Sequence, residues 1–146
     1  MKIMYVCTGN TCRSPLAHAF TIDLLKKMNI NDIEVDSAGI GCSFGDPISI
    51  NSKAVLLENN IDFDHKSKPI SLDDIKENDY IICMTNSHKQ MLSAFVPKEK
   101  LFSVDDIAKC GDVIDPYGKD IEAYRKTAVQ LKDAVDKIIS FILSKN

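Results

Sequence analysis

Lys2–Cys7 is a short apolar, β-branched run, and Gly9-Asn10 and then Ser14-Pro15 follow it within a few residues. The run reads as a strand. Ser is a good helix N-cap, and Pro suits the first helical position because its missing N–H has no partner there in any case. A strand that passes through a tight loop directly into a helix is the opening of a β-α-β unit. The helix reads to about Asn29, with Leu16, Ala19, Phe20, Ile22, Leu24 and Leu25 as its apolar side. The alternation then repeats. Strands are expected at Ile33–Ser37, Asp79–Met84 and Leu101–Val104. Helices are expected over Ser49–Asn60, with Ile50, Ala54 and Leu57 facing inward, and over Asn86 to about Phe95, stopped by Pro97. Cys42–Pro47 and Asp105–Lys119 read as loops. The last helix, from about Asp120 to Leu143, has the clearest period: Ile121, Tyr124, Ala128, Leu131, Val135, Ile138 and Ile142 step by three and four along one stripe.

Strands that alternate with helices pair in parallel through right-handed crossovers. The expected architecture is therefore α/β: a three-layer, doubly wound, four-stranded parallel sheet with helices on both faces. With 146 residues, 45% of them hydrophobic, residues 1–146 are expected to form one domain with enough core to need no disulfide or metal. A net charge of −3 argues against a general nucleic-acid or anionic-membrane binder, since either wants a basic face. The opening residues do not read as a signal peptide, and no stretch approaches a spanning helix. The five cysteines (7, 12, 42, 83 and 110) are odd in number and contain no C-x-x-C pair or zinc spacing. They are expected to be reduced thiols in a cytoplasm, with no metal or cofactor bound.

Residues 7–14 read Cys-Thr-Gly-Asn-Thr-Cys-Arg-Ser. A loop between a parallel strand and a helix N-terminus is already an anion site: its amides lack partners and the helix dipole adds positive potential. Gly9 and Asn10 tolerate left-handed angles, so the loop can turn its N–H groups inward around phosphate oxygens. Arg13 adds a planar fork that grips two of them; the chain holds only two arginines, at 13 and 125. Cys7 then lies at the floor of an electropositive bowl, which stabilises its thiolate and aims it at a bound phosphorus. Ser14 is placed to donate to the sulfur and to help it leave again.

The segment V-C-T-G-N-T-C-R-S-P-L-A resembles the active-site loop of the low-molecular-weight protein tyrosine phosphatases. D-S-A-G at 36–39, D-H-K-S-K-P at 64–69, M-T-N-S-H-K-Q at 84–90 and G-D-V-I-D-P-Y-G at 111–118 extend the likeness over nearly the whole chain. The resemblance implies a flavodoxin-like fold, a monomer, and a phosphocysteine intermediate with phosphorylated proteins as substrates. It implies a phosphate cradle of Thr8, Gly9, Asn10, Thr11, Cys12, Arg13 and Ser14 around Cys7. It makes Asp115, in D-P-Y-G, the general acid and base, and Tyr117 a wall of the pocket. Asn10, Ser37 and His65 match the network that holds the loop in shape. A reversible disulfide between Cys7 and Cys12 is a family property that protects the nucleophile, whereas Cys42, Cys83 and Cys110 read as inert. His18 and His88 read as surface residues of helices.

Within the family the chain resembles the bacterial protein-arginine phosphatases most, because Thr11 stands where tyrosine-directed members carry an aliphatic residue such as isoleucine. The expected substrate is phosphoarginine, with phosphotyrosine as the alternative. A thiol-dependent arsenate reductase shares the loop but needs a downstream pair of redox cysteines, and residues 84–109 contain none. A non-catalytic phosphate-binding module needs neither Cys7 nor Asp115.

Overall fold

In the computed structural model, which describes residues 1–145, the first apolar run forms β1 (Lys2–Cys7), buried from Ile3 onward. It is followed by α1 (Arg13–Lys27), β2 (Glu34–Gly39), α2 (Ile50–Glu58), α3 (Leu72–Glu77), β3 (Tyr80–Cys83), α4 (Asn86–Leu92), β4 (Leu101–Ser103), α5 (Val104–Ala108) and α6 (Ile121–Ser144). The four strands pair in parallel in the order β2-β1-β3-β4. The architecture is the α/β fold expected from the alternation.

Side chains of a strand alternate between faces, and each face here has its own core. Ile3, Tyr5 and Cys7 of β1 join the larger cluster, with Leu16 and Phe20 of α1 and Leu131, Val135, Ile138 and Ile142 of α6. Met4 and Val6 point the other way, to Ile81, Cys83, Leu92 and Leu101, with Ile75 of α3 against them. Being covered on both sides is why β1 and β3 read as unbroken apolar runs. After β1 the chain moves to β2 on one side, and later to β3 on the other. Strand order therefore reverses at β1, and the crevice beyond its carboxyl end is where ligands bind in such sheets.

Four local expectations need correction. The Asp105–Lys119 segment is not all loop, because Val104–Ala108 is α5; α3 was not anticipated at all. Both helices are too short to show a period, yet each starts with a capping box, Ser71 with Asp74 and Ser103 with Asp106. On α2, Ser52, Val55 and Leu56 face inward, while Ile50 is 88% exposed and Leu57 52%. The helix carries two overlapping three-and-four stripes, and packing chose the one whose Ser52 hydroxyl reaches the Cys12 carbonyl at 3.5 Å. Cys12, not Ser14, is the N-cap of α1, and it caps with no side-chain bond. The Ser14 hydroxyl is engaged elsewhere.

Among the described residues no helix is long and apolar enough to cross a membrane.

Candidate active site

The loop from Thr8 to Cys12 turns on Asn10, whose φ of 53° lies in the left-handed region. A non-glycine residue there is strained unless its surroundings hold it, and Asn10 is fully buried and held at every polar atom. Its Oδ1 accepts from the Lys68 amide at 3.0 Å, and its Nδ2 donates to Ser14 Oγ at 2.8 Å. His65 Nε2 lies 3.0 Å from the Asn10 carbonyl oxygen and 3.1 Å from Oδ1. Both are acceptors, so Nε2 carries the proton. Because Ser14 Oγ accepts from Asn10, its own hydrogen is free for Cys7 Sγ, 3.0 Å away. The Asn10 amide donates to the same sulfur at 3.3 Å. Two donors thus converge on a sulfur that is 2% exposed at the floor of the loop. Hydrogen bonds to the charged form favour it, so this arrangement suits a thiolate.

The end of β2 presses on this loop from behind. A Cβ on Gly39 would stand 2.6 Å from the Thr8 carbonyl oxygen and 2.7 Å from Cys42 Sγ, so only glycine fits. At the front, Arg13 opens α1 with its guanidinium buried. Nη1 donates to the Val113 carbonyl at 3.2 Å, and Nη2 lies 3.5 Å from Asp115 Oδ2. The other carboxylate oxygen of Asp115 accepts from the Tyr117 amide at 3.1 Å. The segment that carries Asp115 is therefore hooked onto the loop through Arg13.

Above the loop lies a cleft of about 330 Å³. Thr8, Gly9, Thr11, Cys12 and Arg13 line it from below, Asp115 and Tyr117 from one side, and Cys42 and Asp46 from the loop after β2. Cys42 and Asp46 were not expected there. Burial, and then the neighbouring Cys7, push the Cys42 thiol up. Cys12 Sγ sits 3.5 Å from the Tyr124 hydroxyl, whose pKa is pushed up to about 12 by burial first and by Cys12 next. Cys83 is buried in β3, and its thiol is likewise pushed up to about 12 by burial. All five cysteines are free thiols.

Three polar residues sit differently from expectation. Ser37 bonds to His18 Nδ1 at 3.0 Å and not to Asn10, so its link to the loop is indirect. His18 is no surface residue: its ring stands edge-on to Phe63 at 5.0 Å and to His65 at 6.0 Å. His18 is half-buried, whereas His88 is buried, with Nε2 at 2.8 Å from Thr8 Oγ1 and Nδ1 at 2.9 Å from Thr85 Oγ1, and so ties the loop to the start of α4. A helical histidine flanked by polar residues gives no sign of a partner 80 positions away.

The His18 pair has a measurable consequence. Burial, outweighing the attraction of Asp36, lowers the His18 pKa to about 4, and burial lowers that of His65 too. The unfolded chain, with histidine near 6.5, takes up protons first as pH falls. The stabilisation is thus complete above about pH 6.5 and is lost down to about pH 4. Urea unfolding is expected to show wild type losing on the order of 1–2 kcal/mol more than His18→Asn between pH 6.5 and 4.5. Parallel losses in the two proteins would show that His18 does not titrate in this way.

Comparison with known proteins agrees with this geometry. The profile of the family described as low molecular weight phosphotyrosine protein phosphatase matches residues 2–146. A protein-arginine-phosphatase of Geobacillus stearothermophilus is 36% identical over 94% of this chain and 93% of its own. A low molecular weight protein-tyrosine-phosphatase, PtpB, of Staphylococcus haemolyticus is 35% identical over 94% of this chain and 97% of its own. Among solved structures, a cysteine-to-serine mutant of the YwlE arginine phosphatase with a phosphorylated active-site serine superposes with a TM-score of 0.89, at 29% identity, covering 97% of this chain and 95% of that one.

Proposed function

The chain belongs to the low molecular weight phosphotyrosine protein phosphatase family, whose members are cysteine-based protein phosphatases, and from that premise we propose that it removes the phosphoryl group from phosphoarginine in proteins. The observation that carries the reading is the pair of donors, Ser14 Oγ and the Asn10 amide, directed at Cys7 Sγ beneath a cleft rimmed by Arg13, Thr11 and Asp115. In the first step the loop amides and the Arg13 fork hold the phosphoryl oxygens. The Cys7 thiolate attacks phosphorus in line, the P–N bond breaks, and Asp115 delivers a proton to the departing guanidino nitrogen. In the second, Asp115 takes a proton from water as that water attacks the thiophosphate, and Ser14 supports the leaving sulfur. In the relative that carries a serine in place of the cysteine, that residue holds the phosphate, in keeping with a covalent step at Cys7. Cys12 has a second part in this reading: after a peroxide converts Cys7 to its sulfenic acid, the Cys12 thiol condenses with it, its sulfur bonding to Cys7 Sγ as the S–O bond breaks and water leaves, to give a reducible disulfide.

Thr11 supports phosphoarginine over phosphotyrosine. It lines the cleft with its backbone fixed, since its carbonyl accepts from the Ser49 amide at 2.9 Å. A hydroxyl beside the substrate suits a polar guanidino group, whereas an isoleucine suits an apolar ring. The test is kcat/KM on phosphoarginine and phosphotyrosine peptides of one backbone; a preference for phosphotyrosine overturns the reading. Thr11→Ile is expected to shift the ratio about tenfold toward phosphotyrosine, the scale of a one-group change in a pocket. An unchanged ratio would remove Thr11 as its determinant. The phosphotyrosine reading has its own support in the exposed ring of Tyr117 at the cleft wall.

A further inference from the structure

The loop after β2 brings to the cleft a carboxylate for which the two steps above have no use. The main chain of Asp46 is clamped: its amide donates to Ser67 Oγ at 2.9 Å, and its carbonyl accepts from the Ser67 amide at 2.8 Å. The preceding Gly45 amide adds a bond to the Ser67 carbonyl at 2.8 Å. Ser67 is itself buried, and its hydroxyl donates to the Ser43 carbonyl at 2.6 Å. Pro47 then fixes the backbone on the far side. This much anchoring holds the residue in place against the cleft it lines. By contrast its carboxylate has no hydrogen-bond or ion-pair partner among the described residues, and its charge is felt at Cys42 on the same cleft wall.

An unpaired carboxylate beside a cradle for a phosphoryl dianion repels the very group the cradle binds. The arrangement becomes favourable when the substrate places positive charge and N–H donors between the phosphoryl group and the mouth. The guanidino group of phosphoarginine does so, and the phenyl ring of phosphotyrosine offers neither. We propose that Asp46 is a specificity-determining residue that accepts a hydrogen bond from a guanidino N–H of bound phosphoarginine and disfavours phosphotyrosine. The inference rests on the phosphoarginine reading above and adds to it the residue that recognises the nitrogen side of the substrate.

The test compares wild type and Asp46→Asn on phosphoarginine and phosphotyrosine peptides of identical backbone, with inorganic phosphate as a competitive inhibitor. The variant is expected to lose about tenfold in kcat/KM on phosphoarginine, mainly through KM, as befits one charge-assisted hydrogen bond at a solvent-facing rim. Its phosphotyrosine activity is expected to be unchanged or a few-fold higher, which also reports that the variant is folded. Phosphate is expected to bind it as tightly as wild type or more so. A ratio of the two substrates within twofold of wild type overturns the inference, whether both activities move together or neither moves. A wild-type preference for phosphoarginine combined with that unchanged ratio overturns the role of Asp46 alone. A wild-type enzyme that does not cleave phosphoarginine overturns the substrate reading and this inference with it.

Discussion

Cys7→Ser is expected to reduce turnover by roughly four orders of magnitude or more, the scale of losing a covalent nucleophile, while inorganic phosphate still binds. The two halves of that result separate the sulfur from its cradle. Ser14 Oγ and the Asn10 amide direct hydrogens at Cys7 Sγ, and a sulfur anion can exploit them. A serine hydroxyl stays protonated near neutral pH and attacks phosphorus slowly. Once phosphorylated it is trapped, because an alkoxide is a far poorer leaving group than a thiolate. Serine is also smaller than cysteine, so Asn10, Arg13 and the amides of residues 8–12 keep their places. Inhibition by phosphate in wild type, phosphate binding by titration calorimetry in the variant, and intact mass after long incubation with substrate make the comparison. Turnover above about 1% of wild type would place the nucleophile elsewhere. Loss of phosphate binding together with activity would mean that the sulfur builds the cradle instead of working beneath it.

How far the sequence reveals this site depends on whether partners are close along the chain. Cys7, Asn10, Arg13 and Ser14 lie within one loop, and their chemistry follows from the strand before it and the helix after it. The loop needed only its geometry from the structure. The order of the strands and of the longer helices was equally legible, because β1 and β3 are continuous apolar runs and α6 has a long stripe with one face. Asp115 came from its match to a family motif, and the structure sets it against Arg13 at 3.5 Å.

What stayed hidden has physical causes. The six residues of α3 and five of α5 span under two turns, too few for a period. Their Ser-x-x-Asp caps were the available signal, and it is a weak one in a chain with many serines and aspartates. The face of α2 was ambiguous because Ile50, Ala54 and Leu57 compete with Ser52, Val55 and Leu56, and only the position of α6 and the Cys12 carbonyl decides between them. His18, His88 and Asp46 depend on partners or a cleft assembled from distant segments. A histidine in a polar stretch looks solvated until Thr8 and Thr85 are found on its two nitrogens. Asp46 looks like a turn residue until its main chain is seen pinned to Ser67 and the residue itself is found among those that line the cleft.

Asp115→Asn is expected to slow phosphoryl transfer to Cys7 by about a hundredfold to a thousandfold on substrates with basic leaving groups, within the usual range for a general acid, and to leave that step nearly unchanged on aryl phosphates whose phenols are acidic. The variant keeps the geometry. An asparagine oxygen can still accept the Tyr117 amide as Asp115 Oδ1 does at 3.1 Å, so the D-P-Y-G segment stays oriented. What it loses is the proton, and with it the charge 3.5 Å from the Arg13 guanidinium. Those two losses have different signatures. A guanidino nitrogen cannot depart as an anion and needs its proton in the transition state, whereas an acidic phenolate departs unaided. If Asp115 is the acid, the rate penalty grows with leaving-group pKa across a series of aryl phosphates and is largest on phosphoarginine. If Asp115 acts only by holding Arg13, every substrate loses its phosphate grip equally and the penalty is flat. Its side chain is 53% exposed, so the attacking water reaches it directly, and the proton taken from that water restores the acid for the next turnover without a buried relay. The same carboxylate would activate water in the second step. Aryl phosphates that bypass the acid are therefore expected to show a burst in the variant, with a phosphocysteine that forms at nearly the wild-type rate and clears slowly. A flat penalty without a burst would assign Asp115 to positioning and leave the departing nitrogen to be protonated by solvent.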